Sequence, residues 1–222
     1  MTTIAVVGAG NGLGAAVARR FGAEGYAVAL ISRTQENVDR IAEDLRIEGL
    51  TARGFAADVR RPEELVLALD RAALDLGTVE VLEYSPLPAR RFLRPVLETT
   101  VDDLQAAVEF SVLGPVTAVN QVLGGMRELG RGSILFVNGG SGARPNPAVA
   151  GTSVAFAGEA AYARMLYDTL AEENVRVGQL IVPGAIRPGH PTHDPGVLAD
   201  RLWDLHTGPG AFRVYADAMP DA

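Results

Sequence analysis

Ile4-Ala5-Val6-Val7-Gly8-Ala9-Gly10-Asn11-Gly12-Leu13-Gly14 decides how this chain folds. The apolar run reads as a short buried strand, and the glycines close it before a segment with helical spacing at Leu13, Val17, Arg20 and Phe21. The glycines at 8, 12 and 14 follow a G-x-x-x-G-x-G spacing. The commoner G-x-G-x-x-G frame, started at Gly8, would need glycine where Leu13 stands. Gly8 permits the tight strand-to-helix turn, Gly12 lets backbone approach a diphosphate, and Gly14 lets helix and sheet pack closely. Gly10 and Asn11 complete the loop. The helix start then offers unpaired N–H groups and a favourable dipole to an anion.

The alternation continues outward. Apolar runs at 26–31, 51–57, 79–84, 133–137 and 175–182 predict strands, and a last short one spans 211–215. Helices are predicted over 12–25, 35–48, 62–76, 103–129, 148–173 and 195–206. Pro62 suits a first helical position, and Thr100 with Asp103 forms a cap-like pair. About seven such repeats imply a doubly wound parallel sheet, a Rossmann-type α/β fold with helices on both faces. No linker, repeat or low-complexity tract divides residues 1–222, so one domain is expected.

Composition removes several function classes. The formal charge of −7 and the lack of any basic run argue against nucleic acid as a partner. With no cysteine, disulfides and thiolate metal sites are out. Strand-like sequence from Thr3 leaves no room for a signal peptide, and no apolar stretch approaches the ~20 residues of a bilayer span. The expectation is a cytoplasmic protein with no membrane partner.

On the glycine loop and the strand–helix order, the chain resembles the short-chain dehydrogenase/reductase family over most of its length. The resemblance implies a nicotinamide cofactor. Asp58, followed by Val59, stands where the family faces the adenine ring. Ser32-Arg33 ends the second strand where NAD-preferring members carry an acid. Ser32 cannot repel a 2′-phosphate and the Arg33 guanidinium can pair with one, so NADP(H) is expected over NAD(H). Arg33 as a mere solvated charge is the alternative. Tyr84-Ser85-Pro86-Leu87 replaces the family's Asn-Asn-Ala-Gly. Pro183-Gly184-Ala185-Ile186-Arg187-Pro188 keeps the turn of its Pro-Gly-x-x-x-Thr but loses the threonine. Tyr84, Ser85, Pro183, Gly184 and Ile186 are therefore expected around the nicotinamide.

The same resemblance exposes a loss. Its catalytic asparagine, serine, tyrosine and lysine correspond to Ser111, Gly139, Thr152 and Phe156, with Asn138 and Ser141 close to the serine's place. An aliphatic hydroxyl at 152 is far too weak an acid, and Phe156 supplies no positive field. Tyr162 and Tyr167, further along that helix, read as packing residues. Tyr84 is the substitute proton donor to consider; its alternative is an aromatic that caps the core or stacks on the cofactor. His190-Pro191-Thr192-His193-Asp194 offers two imidazoles and a carboxylate, but Pro191 breaks the spacing, so no metal is expected. A mobile lid with solvated histidines is the preferred reading.

Two functions follow. One is an NADP(H)-dependent oxidoreductase acting on a small carbonyl or imine compound at a noncanonical site. The other is an inactive NADP(H)-binding regulator or partner subunit. The Ala- and Gly-rich helices 103–129 and 148–173 correspond to the family's dimer core. A homodimer or homotetramer is expected, or a heteromer with an active family member.

Overall fold

The computed structural model describes residues 2–208 and 210–219. Seven parallel strands form one sheet: β1 (Thr3–Val7), β2 (Ala27–Ser32), β3 (Ala52–Ala56), β4 (Val79–Tyr84), β5 (Gly132–Gly139), β6 (Val175–Val182) and β7 (Arg213–Tyr215). Their order is β3-β2-β1-β4-β5-β6-β7, so the winding reverses between β1 and β4. Ligands in such sheets bind beyond the carboxyl ends at the reversal. The doubly wound expectation holds.

Both sheet faces are covered, which is why the central strands carry apolar residues on both faces rather than on alternate positions only. Val7, Ile31, Leu82, Tyr84 and Phe136 point to one face, under α3 (Pro62–Leu76), α5 (Gly114–Leu129) and α6 (Ala150–Leu170). Ile4, Val6, Leu30, Val81, Leu135 and Leu180 point to the other. There α1 (Leu13–Ala23), α2 (Gln35–Ile47) and α7 (Pro195–Thr207) pack. At the amino ends of the strands Tyr26, Glu80, Arg131, Ser133 and His206 close a polar cluster. In it Arg131 grips Glu80 at 3.0 Å through two nitrogens.

Several boundaries differ from the sequence expectation. The long helix is α4 (Val101–Val108), a π-helical turn (Glu109–Leu113) and then α5, because the hydroxyl of Tyr84 takes the Phe110 carbonyl at 2.6 Å where the ladder widens. It begins at Val101, two residues before the expected 103, and the Thr100–Asp103 cap is as expected, with reciprocal bonds at 3.2 Å. The run Val101–Leu129 is also long and apolar enough to cross a bilayer, contrary to expectation, but half of its apolar window is buried as a core helix. α6 starts two residues later than expected and passes at Ala171–Glu173 into a 3-10 turn, and β7 shrinks to three residues.

Two carboxyls lie inside this core. Glu83 sits on β4 between Val6 and Leu135, fully buried on the α1/α7 face. Among the described residues neither of its oxygens has a hydrogen-bond partner, and burial, opposed by a smaller effect of Ser85, pushes the carboxyl up to about 8. Glu159 on α6 is 1% exposed and is likewise raised by burial to about 8, against a 3.0 Å bond from Asn138. Both raised groups bind protons in the folded chain that the unfolded chain has released. Their contribution to stability is complete below the ordinary carboxylate range and is lost as pH rises towards about 8. Urea unfolding is therefore expected to show higher stability at about pH 5.5 than at about pH 7.5. Glu83→Leu should raise stability at the higher pH by about 1–3 kcal/mol and flatten the pH dependence. A destabilised Glu83→Leu would contradict this placement.

Candidate functional site

The glycine loop lies at the reversal point. Gly8 adopts φ +99°, and a Cβ there would fall 2.5 Å from the Pro86 backbone, so only glycine lets the loop pass the end of β4. The Gly8 and Ala9 N–H groups donate to the Ile31 carbonyl at 2.9 and 3.0 Å, fixing the loop to β2. A Cβ on Gly14 would meet Ala9 Cα at 2.9 Å, the close helix approach its spacing predicted. At Gly10 and Gly12 a Cβ would enter open space. Gly12 is the N-cap of α1 and no side chain caps the helix; the Ala15 N–H turns back to the Gly10 carbonyl at 2.9 Å and the Ala16 N–H to the Gly12 carbonyl at 3.2 Å, which leaves the Leu13 and Gly14 N–H groups for an outside acceptor. This open cradle over an uncapped helix fits a diphosphate.

The adenosine end also has fitting groups. Ser32 is half-buried; Arg33 is exposed and makes no ion pair among the described residues. Asp58 is half-buried beyond β3, its carboxylate accepting from the Arg60 N–H at 3.0 Å, beside buried Val59. One cation escaped sequence reasoning. Arg40 of α2 reaches across to Asn11 Oδ1 at 3.3 Å and to Asn37 at 2.8 Å. A helix-face arginine carries no motif, so only the fold reveals that it borders the glycine loop.

The reaction end is different. Ser111 is buried within the π-helical turn, and Gly139 ends β5 without a side chain. Thr152 is 3% exposed; its hydroxyl donates to the Val149 carbonyl at 3.1 Å and accepts from Ser141 at 3.2 Å. The Phe156 ring lies 3.8 Å from where a Gly139 Cβ would be, filling the place with hydrocarbon. Ser85 is half-buried, its N–H on the Val7 carbonyl at 2.9 Å. Gly184 adopts φ +128° and Ile186 is partly exposed on the loop that follows.

Tyr84 does not face this cleft. It is 1% exposed, its side chain lies under the π-helical turn, and its hydroxyl is spent on the Phe110 carbonyl. Burial, then the nearby Glu159 and Asp58 carboxylates, raise the phenol well above its ordinary range. Tyr84 as proton donor, or as a residue touching the cofactor, is corrected to a core residue. A Cβ on Gly114 would collide with that hydroxyl. Tyr162 and Tyr167 pack against the core as expected.

The histidines are a second correction. His193 is 5% exposed, and its ring meets the His190 ring edge-on at 4.7 Å. The loop is built on hydrogen bonds rather than solvated. A further network was invisible in sequence: Arg213 donates to Gln179 at 2.7 Å, Gln179 to Asn138 at 2.6 Å, and Asn138 to Glu159 at 3.0 Å. Its four members come from three strands and a helix, and it fixes Asn138 directly before Gly139.

Comparison with known proteins places this geometry. The family described as short chain dehydrogenase matches residues 2–193. An uncharacterized oxidoreductase of Mycobacterium tuberculosis is 31% identical over 141 residues, 61% of this chain and 40% of that protein. The chain thus spans less than half the length of that relative. A metagenomic short-chain oxidoreductase in complex with NADP superposes with a TM-score of 0.85 at 21% identity, over 100% of this chain and 98% of the other. So does an apo short-chain oxidoreductase of Pseudomonas aeruginosa PAO1 containing an atypical catalytic center, with a TM-score of 0.85 at 19% identity, over 98% and 95%. Glycine turn, sheet order and family match agree: the chain belongs to the short-chain dehydrogenase family.

Proposed function

We propose that the protein binds NADP(H) at the glycine loop and acts as an oxidoreductase on acceptors that need no proton from the enzyme. The observation that carries the first half is the uncapped α1 beneath the open Gly10–Gly12 cradle, with unpaired Arg33 at the end of β2. Arg33, with Arg40 nearby, suits a 2′-phosphate, and Asp58 suits the adenine side. When bound, the cofactor supplies or accepts a hydride. NAD(H) is the less favoured ligand.

The second half follows from what the cleft lacks. No phenol or ammonium lies at positions 152 and 156, and Tyr84 is turned into the core. An ordinary ketone needs an acid as its oxygen gains charge. An iminium carbon already carries the charge, and a quinone delocalises it, so both accept hydride without that help. A small iminium or quinone compound is the proposed substrate class. The reading of an inactive regulator or partner subunit is the outcome if no acceptor is turned over.

A dimer accompanies this proposal. Val101 of α4, Leu113 of the π-helical turn, and Val154 and Met165 of α6 are half or more exposed on the two helices that correspond to the family's dimer core. Light scattering after size exclusion is expected to exceed the 23.3 kDa of one chain, and a monomer would contradict it.

Fluorescence titration should give tighter binding of NADPH than of NADH, with Arg33→Ala weakening NADPH by about 10- to 100-fold and leaving NADH unchanged. Equal affinities, or no effect of Arg33→Ala, would defeat the cofactor assignment. Oxidation of NADPH is expected with cyclic iminium salts or quinones and not with simple ketones. Tyr84→Phe should leave that rate unchanged while costing about 1–2 kcal/mol of stability through the orphaned Phe110 carbonyl.

A further inference from the structure

The chain leaving β5 makes a 3-10 turn, Gly140–Gly142, at the carboxyl edge of the sheet, where ligands lie in such folds. Hydrocarbon flanks the turn. A Cβ on Gly140 would lie 3.4 Å from the Met219 methyl and from Pro183 Cα, and one on Gly142 would lie 3.2 Å from Phe156 Cβ. The half-buried Ser141 hydroxyl is the polar group of the turn, and it meets the buried Thr152 hydroxyl at 3.2 Å.

The groups behind Ser141 fix the direction of its proton. Thr152 Oγ1 lies 3.1 Å from the Val149 carbonyl. Ser153 Oγ lies 2.8 Å from the same carbonyl and 3.0 Å from that of Asn146. With the Ser141–Thr152 contact this makes four oxygen–oxygen contacts for three hydroxyl protons, since the carbonyls only accept. Three contacts are satisfied when Ser141 donates to Thr152, Thr152 to Val149, and Ser153 to Asn146. Each carbonyl then takes one hydroxyl and one N–H, from Ser153 at 3.0 Å on Val149 and from Val149 at 3.1 Å on Asn146, which fills its two lone pairs. Turning the Ser141 proton outward satisfies only two. Ser141 therefore faces outward with lone pairs, and among the described residues Oγ has no other hydrogen-bond partner.

We propose that Ser141 accepts a hydrogen bond from a substrate N–H, so that of the two acceptors that need no enzyme proton the site takes the iminium and not the quinone. The proposal rests on the hydride-transfer reading above. A quinone or ketone oxygen against Ser141 meets lone pairs, unless Ser141 abandons Thr152 and gives up a bond inside the protein. An iminium N–H donates to Ser141 with the inner bonds intact, and its charge strengthens the contact. Thr152 and Phe156 bring no cation to repel it, and Arg144, in the segment that follows, is exposed and already engaged. Met219, Pro183 and Phe156 provide hydrocarbon for the rest of a ring. On reduction the iminium carbon gains a hydride and the C=N π pair becomes the nitrogen lone pair, while the reduced nicotinamide coenzyme of the proposed activity is oxidised. The N–H stays on Ser141, and no proton leaves the protein.

Calorimetric binding in excess NADP+ tests this without turnover, because the oxidised coenzyme has no hydride to give. Three two-ring probes are compared: dihydroisoquinolinium, held protonated by the buffer; its N-methyl salt, which keeps the charge and lacks the N–H; and naphthoquinone. Dihydroisoquinolinium should bind at least about tenfold tighter than either of the others, and Ser141→Ala should remove that margin. Thr152→Val takes away the oxygen to which Ser141 gives its proton. Naphthoquinone should then bind about three- to tenfold tighter than to the parent, with dihydroisoquinolinium unchanged. A residue that merely held the turn would not raise affinity when removed. Equal affinities in the parent, a margin that survives Ser141→Ala, quinone binding unmoved by Thr152→Val, or no binding of dihydroisoquinolinium would overturn the assignment. NADPH oxidation separates the two claims. The margin without oxidation by any probe upholds the Ser141 site and defeats the hydride-transfer reading. Oxidation by dihydroisoquinolinium with a KM that Ser141→Ala leaves unchanged overturns the Ser141 site and keeps that reading.

Discussion

The turn at Gly8 is the constraint on which the rest depends. β1 and β4 end side by side, and the chain leaving β4 presses the Pro86 backbone against the place where a side chain at position 8 would be. Only a glycine with positive φ lets the loop turn there and start α1 over the sheet. That turn sets the helix axis towards the cleft, keeps its first N–H groups unspent, and brings Asn11 within reach of Arg40. Without it there is no anion cradle, and the order of the strands alone would carry no function.

The other end of the cleft shows where polar groups have gone. Where the family resemblance leads one to expect a serine, a tyrosine and a lysine, Gly139, Thr152 and Phe156 offer a backbone, a spent hydroxyl and a ring. Ionisable groups instead lie deeper: Glu159 one turn beyond Phe156, tied through Asn138 and Gln179 to Arg213, and Glu83 on the opposite face of the sheet. Burying an unpartnered carboxyl such as Glu83 costs stability and raises its proton affinity. Nothing in the structure explains why Glu83 is there.

The fold was legible because its causes are local. Apolar runs closed by glycine, a proline at the start of α3 and the Thr100–Asp103 box each act within a few residues. The glycine loop and the replacements at 111, 139, 152 and 156 were legible for the same reason, since each is fixed by spacing to a neighbouring element. Tyr84 misled because position on a strand does not say which face the side chain takes; its neighbours Val7 and Phe136 put it on the face under α3, α5 and α6. The histidine loop misled in another way. A run of prolines and polar residues looks solvated, whereas His193 is buried, with its ring on the Pro183 carbonyl just after β6 and its neighbour Thr192 tied to Asp217 in the segment after β7. Arg40, Gln179 and Arg213 could not be found at all, because each gains its meaning only across the fold.

The central claim is that the first turn of α1 receives a diphosphate and that Arg33 receives the 2′-phosphate. A crystal structure of the protein with NADP(H) measures this most directly. The account predicts the diphosphate against the Leu13 and Gly14 N–H groups, with the 2′-phosphate paired to Arg33. Coenzyme bound elsewhere, or a cradle that stays empty at saturating coenzyme, would contradict it.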